Sequence, residues 1–558
     1  MILVVGWDGA CFDLVDPWLA RGELPFLGRL LGSGARRELN STRPASTFPA
    51  WTSFMTAAGP GRHGIVDFTV PSDGYGLRFV NASYRSLPTI WRLASDAGLR
   101  VGVYGFPATY PAEELNGIQV CGFDTPLGSS QAPGWSYPPG LAGQLRARYG
   151  DLAVSGPAQS RIGPGWHDQA LAAMKSDIAV RGCIVADLIG EGGYDIFAVH
   201  FMESDTVAHH FWQFADKSSP RHVAGGLADG LLEVYRALDR ELGRLVKAAG
   251  PDTTVVLLSD HGSGPTGDRG IAWNSWLAER GWLGFDDGPQ ARLRAAGAGM
   301  LRRAALAGLP GGLQAKLFGR ARAGVGAVEA SRRFTRIDWR RTRAYSEELS
   351  YHPSIRLNIA GREPCGVVLA AGRDRVIAEL TEDLLAMRDP VDDGPVVLAV
   401  DARECIYDGP YVELMPDLLL TLREPDGASY ACLPSRGGRE RAAVRRMRPD
   451  EMTGARGTSM PGSHRATGML AVSGPPVRAG SYPAAELSGA GATVLALAGL
   501  GTSRGMDGRP LADMLDPDLL ARPPDEPVSP VPASGPAQYG DREEAAVAER
   551  LRNLGYIA

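Results

Sequence analysis

Six cysteines (Cys11, Cys121, Cys183, Cys365, Cys405 and Cys432) are spread through 558 residues with no paired spacing. Some lie in apolar stretches, where a reduced thiol behaves as a small hydrophobe, so no disulfide framework is expected. No apolar run approaches the roughly 18 residues that a membrane-spanning helix needs. Neither sign of charge dominates. The net charge is −5 with both signs interspersed, which argues against a nucleic-acid polymer or a membrane surface as partner. There is no internal repeat, and no basic leader or cleavage site precedes the first apolar run, Met1 to Asp8, so a cytoplasmic protein is expected.

What is present is a globular composition, 44% hydrophobic, in a chain long enough for a large α/β domain with an inserted subdomain. Short runs rich in β-branched or aromatic residues at Ile2 to Val5, Val101 to Tyr104, Ile196 to Phe201 and Thr254 to Leu258 predict strands. An amphipathic stretch from Leu14 to Leu31 predicts a helix after the first of them. Buried strands separated by helices imply a mostly parallel sheet. Gly128 to Gly165 is rich in Gly, Pro and Ser and reads as a long surface loop or lid.

About two hundred residues separate His261 from His464, far more than a loop holds. That interval opens with an Arg/Ala/Gly-rich, helical-looking region, Ala291 to Arg333, and continues through apolar runs at Gly366 to Ala370 and Leu418 to Leu420. The sheet is expected to resume at Met469 to Val472, followed by the apolar segment Ala492 to Leu500. The expected organisation is a catalytic core from 1–262 and 456–521, core elements plus a cap subdomain in 263–455, a proline-rich extended linker at 522–540, and a C-terminal helix at 541–558.

Asp8, Thr47, Asp205, His209, Asp260, His261 and His464 each stand where an apolar run stops, and strand ends are where open α/β sheets gather their chemistry. Asp205 and His209 are four apart. On a helix this is about one turn, so carboxylate and imidazole share a face and can hold one ion; the bland alternative is a solvated helix face. Asp260 and His261 close a strand-like run, and Gly262 is expected to let the chain turn so that both reach one ion. The alternative is an Asp that caps the next helix beside an incidental His. Thr47, close to Pro49, reads either as a helix cap together with Ser46, or as a hydroxyl at a positive helix end suited to phosphate. His63 reads as a packing or capping residue and His210 as pointing away from the ligand candidates. Trp51, Trp166 and Trp212 read as core more readily than as base-stacking residues. Arg43 and Arg62 read as surface or structural charges.

The segments Gly6-Trp-Asp8-Gly-Ala, Ser46-Thr47-Phe-Pro-Ala-Trp51, Gly61-Arg-His63-Gly-Ile65, Asp205-x-x-x-His209, Ser259-Asp260-His261-Gly and Gly462-Ser-His464 occur in the order expected of the alkaline phosphatase superfamily. The chain most resembles its type I phosphodiesterase/nucleotide pyrophosphatase branch and, within it, predicted bacterial AlkP-type phosphohydrolases or phosphomutases. The resemblance implies a three-layer α/β/α sandwich with a mostly parallel central sheet and an inserted cap subdomain. It implies one metal held by Asp205, His209 and His464 and a second held by Asp8, Asp260, His261 and the Thr47 oxygen, with Thr47 as nucleophile. A mixed imidazole and carboxylate set suits zinc, with manganese, iron or cobalt possible and an all-oxygen magnesium cage disfavoured. Two divalent ions set against three aspartates and a Thr47 alkoxide leave the site near neutral, able to accept an anion.

The expected activity is therefore hydrolysis of a small-molecule phosphate ester or nucleotide through a phospho-Thr47 intermediate, with phosphodiesters or nucleotide pyrophosphates favoured. One departure is visible. Nucleotide pyrophosphatases continue the segment resembling His63-Gly-Ile-Val-Asp67 with an Asn that contacts a phosphoryl oxygen, and this chain has Phe68. No Arg matches the one alkaline phosphatases use to grip a monoester, and the nucleophile motif has no Cys for a sulfatase. Phosphomonoester hydrolysis or phosphomutase chemistry at the same site, and a non-catalytic metal-stabilised interaction protein, are the alternatives.

Overall fold

The computed structural model describes residues 1–126, 134–150, 162–286, 336–349, 353–435, 442–452, 459–502, 505–520 and 541–553, with positions 152, 154, 156, 157, 159, 288, 334, 351 and 539. The helical reading of Ala291 to Arg333 lies outside these residues. So does the linker reading of 522–540, apart from Tyr539, which stacks on Tyr110 with ring centroids 5.8 Å apart.

A ten-stranded sheet organises the fold. Its strands are β1 (Ile2–Trp7), β2 (Ala35–Asn40), β3 (Val101–Tyr104), β4 (Gly117–Val120), β5 (Ser136–Tyr137), β6 (Ile196–Phe201), β7 (Thr254–Leu258), β8 (Thr467–Ser473), β9 (Gly480–Ser481) and β10 (Ala485–Glu486). They lie in the order β9-β2-β8-β7-β1-β6-β3-β4-β5, with β10 also on β2. From β7 through β1, β6 and β3 to β4 all neighbours are parallel, whereas β8 is antiparallel to both β7 and β2. The sheet is thus α/β, mostly parallel, with one reversed strand inside it.

Helices cover both faces, which is why β1 is apolar without alternation. Leu3, Val5 and Trp7 join a cluster with Val15, Trp18 and Tyr235 on one side, while Ile2 and Val4 join Trp51, Phe54 and Val494 on the other. The stretch Leu14 to Leu31 forms two helices, Phe12–Leu19 and Pro25–Ser33, because Gly22 turns the chain at φ +73° and Pro25 begins the second.

The reading of Gly128 to Gly165 as a surface loop is corrected. Its described part contains β5 and a helix, Leu141–Tyr149. Ala142 and Leu145 lie three apart on that helix and enter the core with Trp135, over which Arg146 packs at 4.8 Å.

Between His261 and His464 a strand, Gly262–Ile271, pairs with Gly462–Arg465, Ser429–Cys432 and Val444–Arg446. A separate four-stranded antiparallel sheet is formed by Ala344–Tyr345, Ser354–Leu357, Leu418–Leu422 and Val397–Ala402, with its own apolar cluster that includes Leu357, Leu380 and Leu384. Gly366 to Ala370 is no strand; Val368 makes only a single bridge to Ile359. A helix at Asp541–Asn553 lays Val547, Ala548 and Leu551 against Phe48, Phe68 and Phe123.

Candidate metal centre

Strand direction brings the predicted residues to one edge. Asp8 follows β1, Asp260 and His261 follow β7, and Asp205 and His209 lie in the helix Glu203–Ala215 just after β6. The reversed strand β8 begins at this edge, so His464, three residues before it, arrives there from the opposite chain direction. Open parallel sheets place ligand sites at this carboxyl edge.

The donors converge in two groups. Ligand atoms of Asp8, Asp260 and His261 lie within 4.8 Å of one another, and so do those of Asp205, His261 and His464. His209 completes the second group, its Nε2 standing 3.1 Å from Asp205 Oδ1 and 3.0 Å from His464 Nε2. His261 Nε2 is 3.5 Å from Asp8 Oδ1 and 3.4 Å from Asp260 Oδ2, and its ring stacks on His464 at 3.8 Å, so the two groups meet at His261.

Each imidazole is held by its other nitrogen. Nδ1 of His209 lies 2.9 Å from Gly462 O, that of His261 2.9 Å from Gly262 O, and that of His464 2.6 Å from Ala45 O. A carbonyl oxygen only accepts, so each Nδ1 carries a proton and donates it, and Nε2 is the nitrogen turned toward the carboxylates. This is how proteins orient metal-binding histidines.

The bend at Asp260–His261 is made without a left-handed glycine. Gly262 begins a strand, and a Cβ there would sit 2.1 Å from Thr467 O, so glycine serves close strand approach instead of the turn expected from sequence. The turn after β1 is tied to the same place. Gly9 N donates to Asp260 Oδ1 at 3.3 Å, Ser263 Oγ to Gly9 O at 2.7 Å and Ser259 Oγ to Ala10 O at 2.6 Å.

Thr47 is the first residue of the helix Thr47–Thr56, with Ser46 at the cap position. The cap reading does not hold: Ser46 makes no side-chain cap bond, and both Ser46 Oγ and Thr47 Oγ1 are buried without a hydrogen-bond partner. Ala45, two residues earlier, accepts from His464 and so fixes the start of this helix beside the metal-type donors.

Electrostatics fit a cation. Asp8 Oδ1, Asp260 Oδ2 and His261 Nε2 are also buried without a hydrogen-bond partner, an expensive arrangement unless an ion satisfies them. Burial raises the Asp260 carboxyl well above its usual range, with the charges of Asp8 and Asp205 adding to the rise. Burial also acts to raise Asp205, but His209, then His464 and His261, outweigh it and hold the carboxyl below its usual range. Burial, followed by the neighbouring His261, keeps His464 neutral. The donor set therefore fits metal binding, with two groups of candidate ligands that meet at His261.

The remaining candidates have structural surroundings. His63 is buried, its Nδ1 accepting from Ile65 N at 3.1 Å and its Nε2 donating to Ser53 Oγ at 2.9 Å. His210 turns to Gln159 Oε1 at 2.8 Å, and Trp166 packs on it. Trp212 is partly buried against the core. Arg43 pairs with Asp401, and Arg62 with Asp408 and Asp507.

Trp51 is buried in the core as expected but makes a contact that the sequence did not signal, and His200 and Tyr351 carried no expectation. Trp51 donates its indole N–H to Asp8 Oδ2 at 3.0 Å, and His200 Nε2 lies 2.9 Å from the same oxygen. A histidine inside the apolar run Ile196 to Phe201 was the available signal for the second. Tyr351 stacks near His464 at 5.9 Å and donates to Asp67 Oδ1 at 3.2 Å.

The profile of the type I phosphodiesterase / nucleotide pyrophosphatase family matches residues 2–431. The chain belongs to that family. This places it among phosphoester hydrolases. Its fold is similar to that of phosphonoacetate hydrolase from Sinorhizobium meliloti 1021, in that protein's complex with phosphonoformate: 17% identity, 88% of this chain and 94% of the other covered, TM-score 0.50. Human ectonucleotide pyrophosphatase / phosphodiesterase 5 aligns at 13% identity over 92% of this chain and 99% of its own, with a TM-score of 0.47. No curated protein matches the chain. Among the described residues no helix is long and apolar enough to cross a membrane.

Proposed function

We propose that the chain hydrolyses phosphate esters at a two-cation centre, using Thr47 as nucleophile. Asp205, His209 and His464 would hold one cation; Asp8, Asp260, His261 and the Thr47 oxygen would hold the other, zinc by ligand type with manganese as the alternative. Bound there, the ions would neutralise a phosphoryl group and favour the Thr47 alkoxide. The observation that carries this reading is the set of unpaired buried atoms Asp8 Oδ1, Asp260 Oδ2 and His261 Nε2 from residues distant in sequence, with Thr47 Oγ1 likewise buried and unpaired at the helix start that Ala45 O ties to His464.

Thr47 Oγ1 attacks phosphorus, the bond to the leaving oxygen breaks, and the phosphoryl group remains on Thr47. Water then cleaves the Thr47–phosphorus bond and restores the hydroxyl. The amino end of the Thr47–Thr56 helix orients the anion through its free N–H groups. Burial of the donor residues limits competing solvent at the reacting atoms.

Phosphodiesters or nucleotide pyrophosphates are the favoured substrates, given the family. A monoester, or transfer of phosphoryl within one substrate, is supported by one specific feature: Phe68 is buried against Phe48 at 4.2 Å and offers a phosphoryl oxygen no polar contact. Rates on bis-phenyl and mono-phenyl phosphates separate the ester classes, and isotope-labelled water separates hydrolysis from transfer.

Thr47→Ala tests the nucleophile. Turnover should disappear with bound metal retained, and acid-quenched wild-type protein should carry phosphate on the Thr47 peptide; unchanged turnover in the variant contradicts the assignment.

A further inference from the structure

Two N–H groups meet on one carboxylate oxygen beneath the candidate centre. Indole nitrogen can only donate, so Trp51 Nε1 gives its hydrogen to Asp8 Oδ2 at 3.0 Å. His200 Nε2 lies 2.9 Å from the same atom, which as a carboxylate oxygen accepts. The other oxygen, Asp8 Oδ1, has no hydrogen-bond partner and lies 3.5 Å from His261 Nε2. The pair of donors therefore decides which oxygen of Asp8 remains available.

The surrounding fold is shaped around this contact. Gly6 lies on β1 two residues before Asp8, which follows the strand. In register, Gly6 faces His200 on β6. A Cβ on Gly6 would lie 2.7 Å from Trp51 Cη2 and 3.3 Å from His200 Cδ2, so the absence of a side chain there makes room for both rings. The rings meet edge to face at 4.9 Å and 82°, and Phe106 packs on both, 5.2 Å from Trp51 and 5.5 Å from His200. All three are buried. Neither donor has rotational freedom to leave Asp8 without disturbing this packing.

We propose that Trp51 and His200 are positioning residues that set the strength of the cation site formed by Asp8, Asp260 and His261, by fixing Asp8 with Oδ1 facing the other donors. This rests on the two-cation reading above. Partners of this kind behind a metal ligand are worth about 10–100-fold in affinity. Neither residue touches substrate in this assignment.

The test is zinc titration of chelator-stripped full-length protein against a chromophoric competitor, with metal counted after dialysis. Wild type should bind two equivalents. His200→Phe and Trp51→Phe keep an aromatic ring but lose the N–H; each should retain one tight equivalent and weaken the other about 10–100-fold. His200→Gln, which restores an N–H donor, should recover part of the loss. Melting of the metal-free proteins separates folding from binding, and Trp51→Phe decides the matter alone if His200→Phe does not fold. Two equivalents at wild-type affinity in the Phe variants would overturn the positioning role while leaving the two-cation reading intact. Fewer than two equivalents in saturated wild type would instead remove that reading, and the positioning role with it.

Discussion

His209 and His464, 255 residues apart in sequence, face each other nitrogen to nitrogen, Nε2 to Nε2 at 3.0 Å, while the Nδ1 of each donates to a backbone carbonyl, that of Gly462 for His209 and that of Ala45 for His464. Burial keeps His464 neutral, so its Nε2 presents a lone pair to His209. Two such lone pairs repel at this distance unless positive charge lies between them. A divalent ion would supply it, with Asp205 Oδ1 3.1 Å from His209 Nε2 as the counter-charge.

Metal binding should therefore release protons and stabilise the fold. Chelator treatment is expected to lower the melting temperature, and added zinc or manganese to restore it, with a gain of about 2.7 kcal/mol at a hundredfold excess over the dissociation constant. Calorimetric titration in buffers of different ionisation enthalpy reads the proton release. A melting temperature indifferent to chelator and metal would argue against a cation between these rings.

The amino end of the helix carrying Asp205 and His209 is anchored by a buried ion pair. Arg181 grips Glu203 through both carboxylate oxygens, at 2.9 and 3.0 Å, and also donates to His200 O. Glu203→Leu strands the guanidinium in the interior and should lower unfolding free energy by about 3–5 kcal/mol, whereas the double variant Arg181→Met, Glu203→Leu should recover much of the loss. Urea unfolding of the three proteins checks this, and a single variant as stable as wild type would contradict it.

His63 predicts an acid sensitivity. Burial, assisted by the charge of Arg85, lowers its pKa from 6.5 to about 3. Between those values the unfolded chain binds a proton that the folded chain refuses. The stability it contributes is thus present above pH 6.5 and lost as pH falls toward 3. Across the middle of that window wild type should lose about 1.4 kcal/mol per pH unit more than His63→Gln. Equal slopes in denaturant titrations would remove His63 from the account.

Much of the edge was readable in the chain because its chemistry sits where apolar runs stop. Asp8 and Asp260 follow β1 and β7 within two residues, and the four-residue spacing of Asp205 and His209 became one helical turn. What the sequence could not express was pairing across distance. That β8 runs backwards, delivering His464 to the same edge, depends on strand order, and Trp51 and His200 look like core residues until Asp8 is placed between them. Composition misled at Leu141–Tyr149, where flanking Gly and Pro masked a helix anchored by Leu145, and Gly22 split a hydrophobic pattern that looked continuous.

The most direct test of the central claim is anomalous diffraction from zinc-grown crystals, collected on either side of the zinc edge. Two peaks are predicted, one against Asp8, Asp260 and His261 and one against Asp205, His209 and His464, both beside Thr47. A single peak, or none among these side chains, would contradict the two-cation centre.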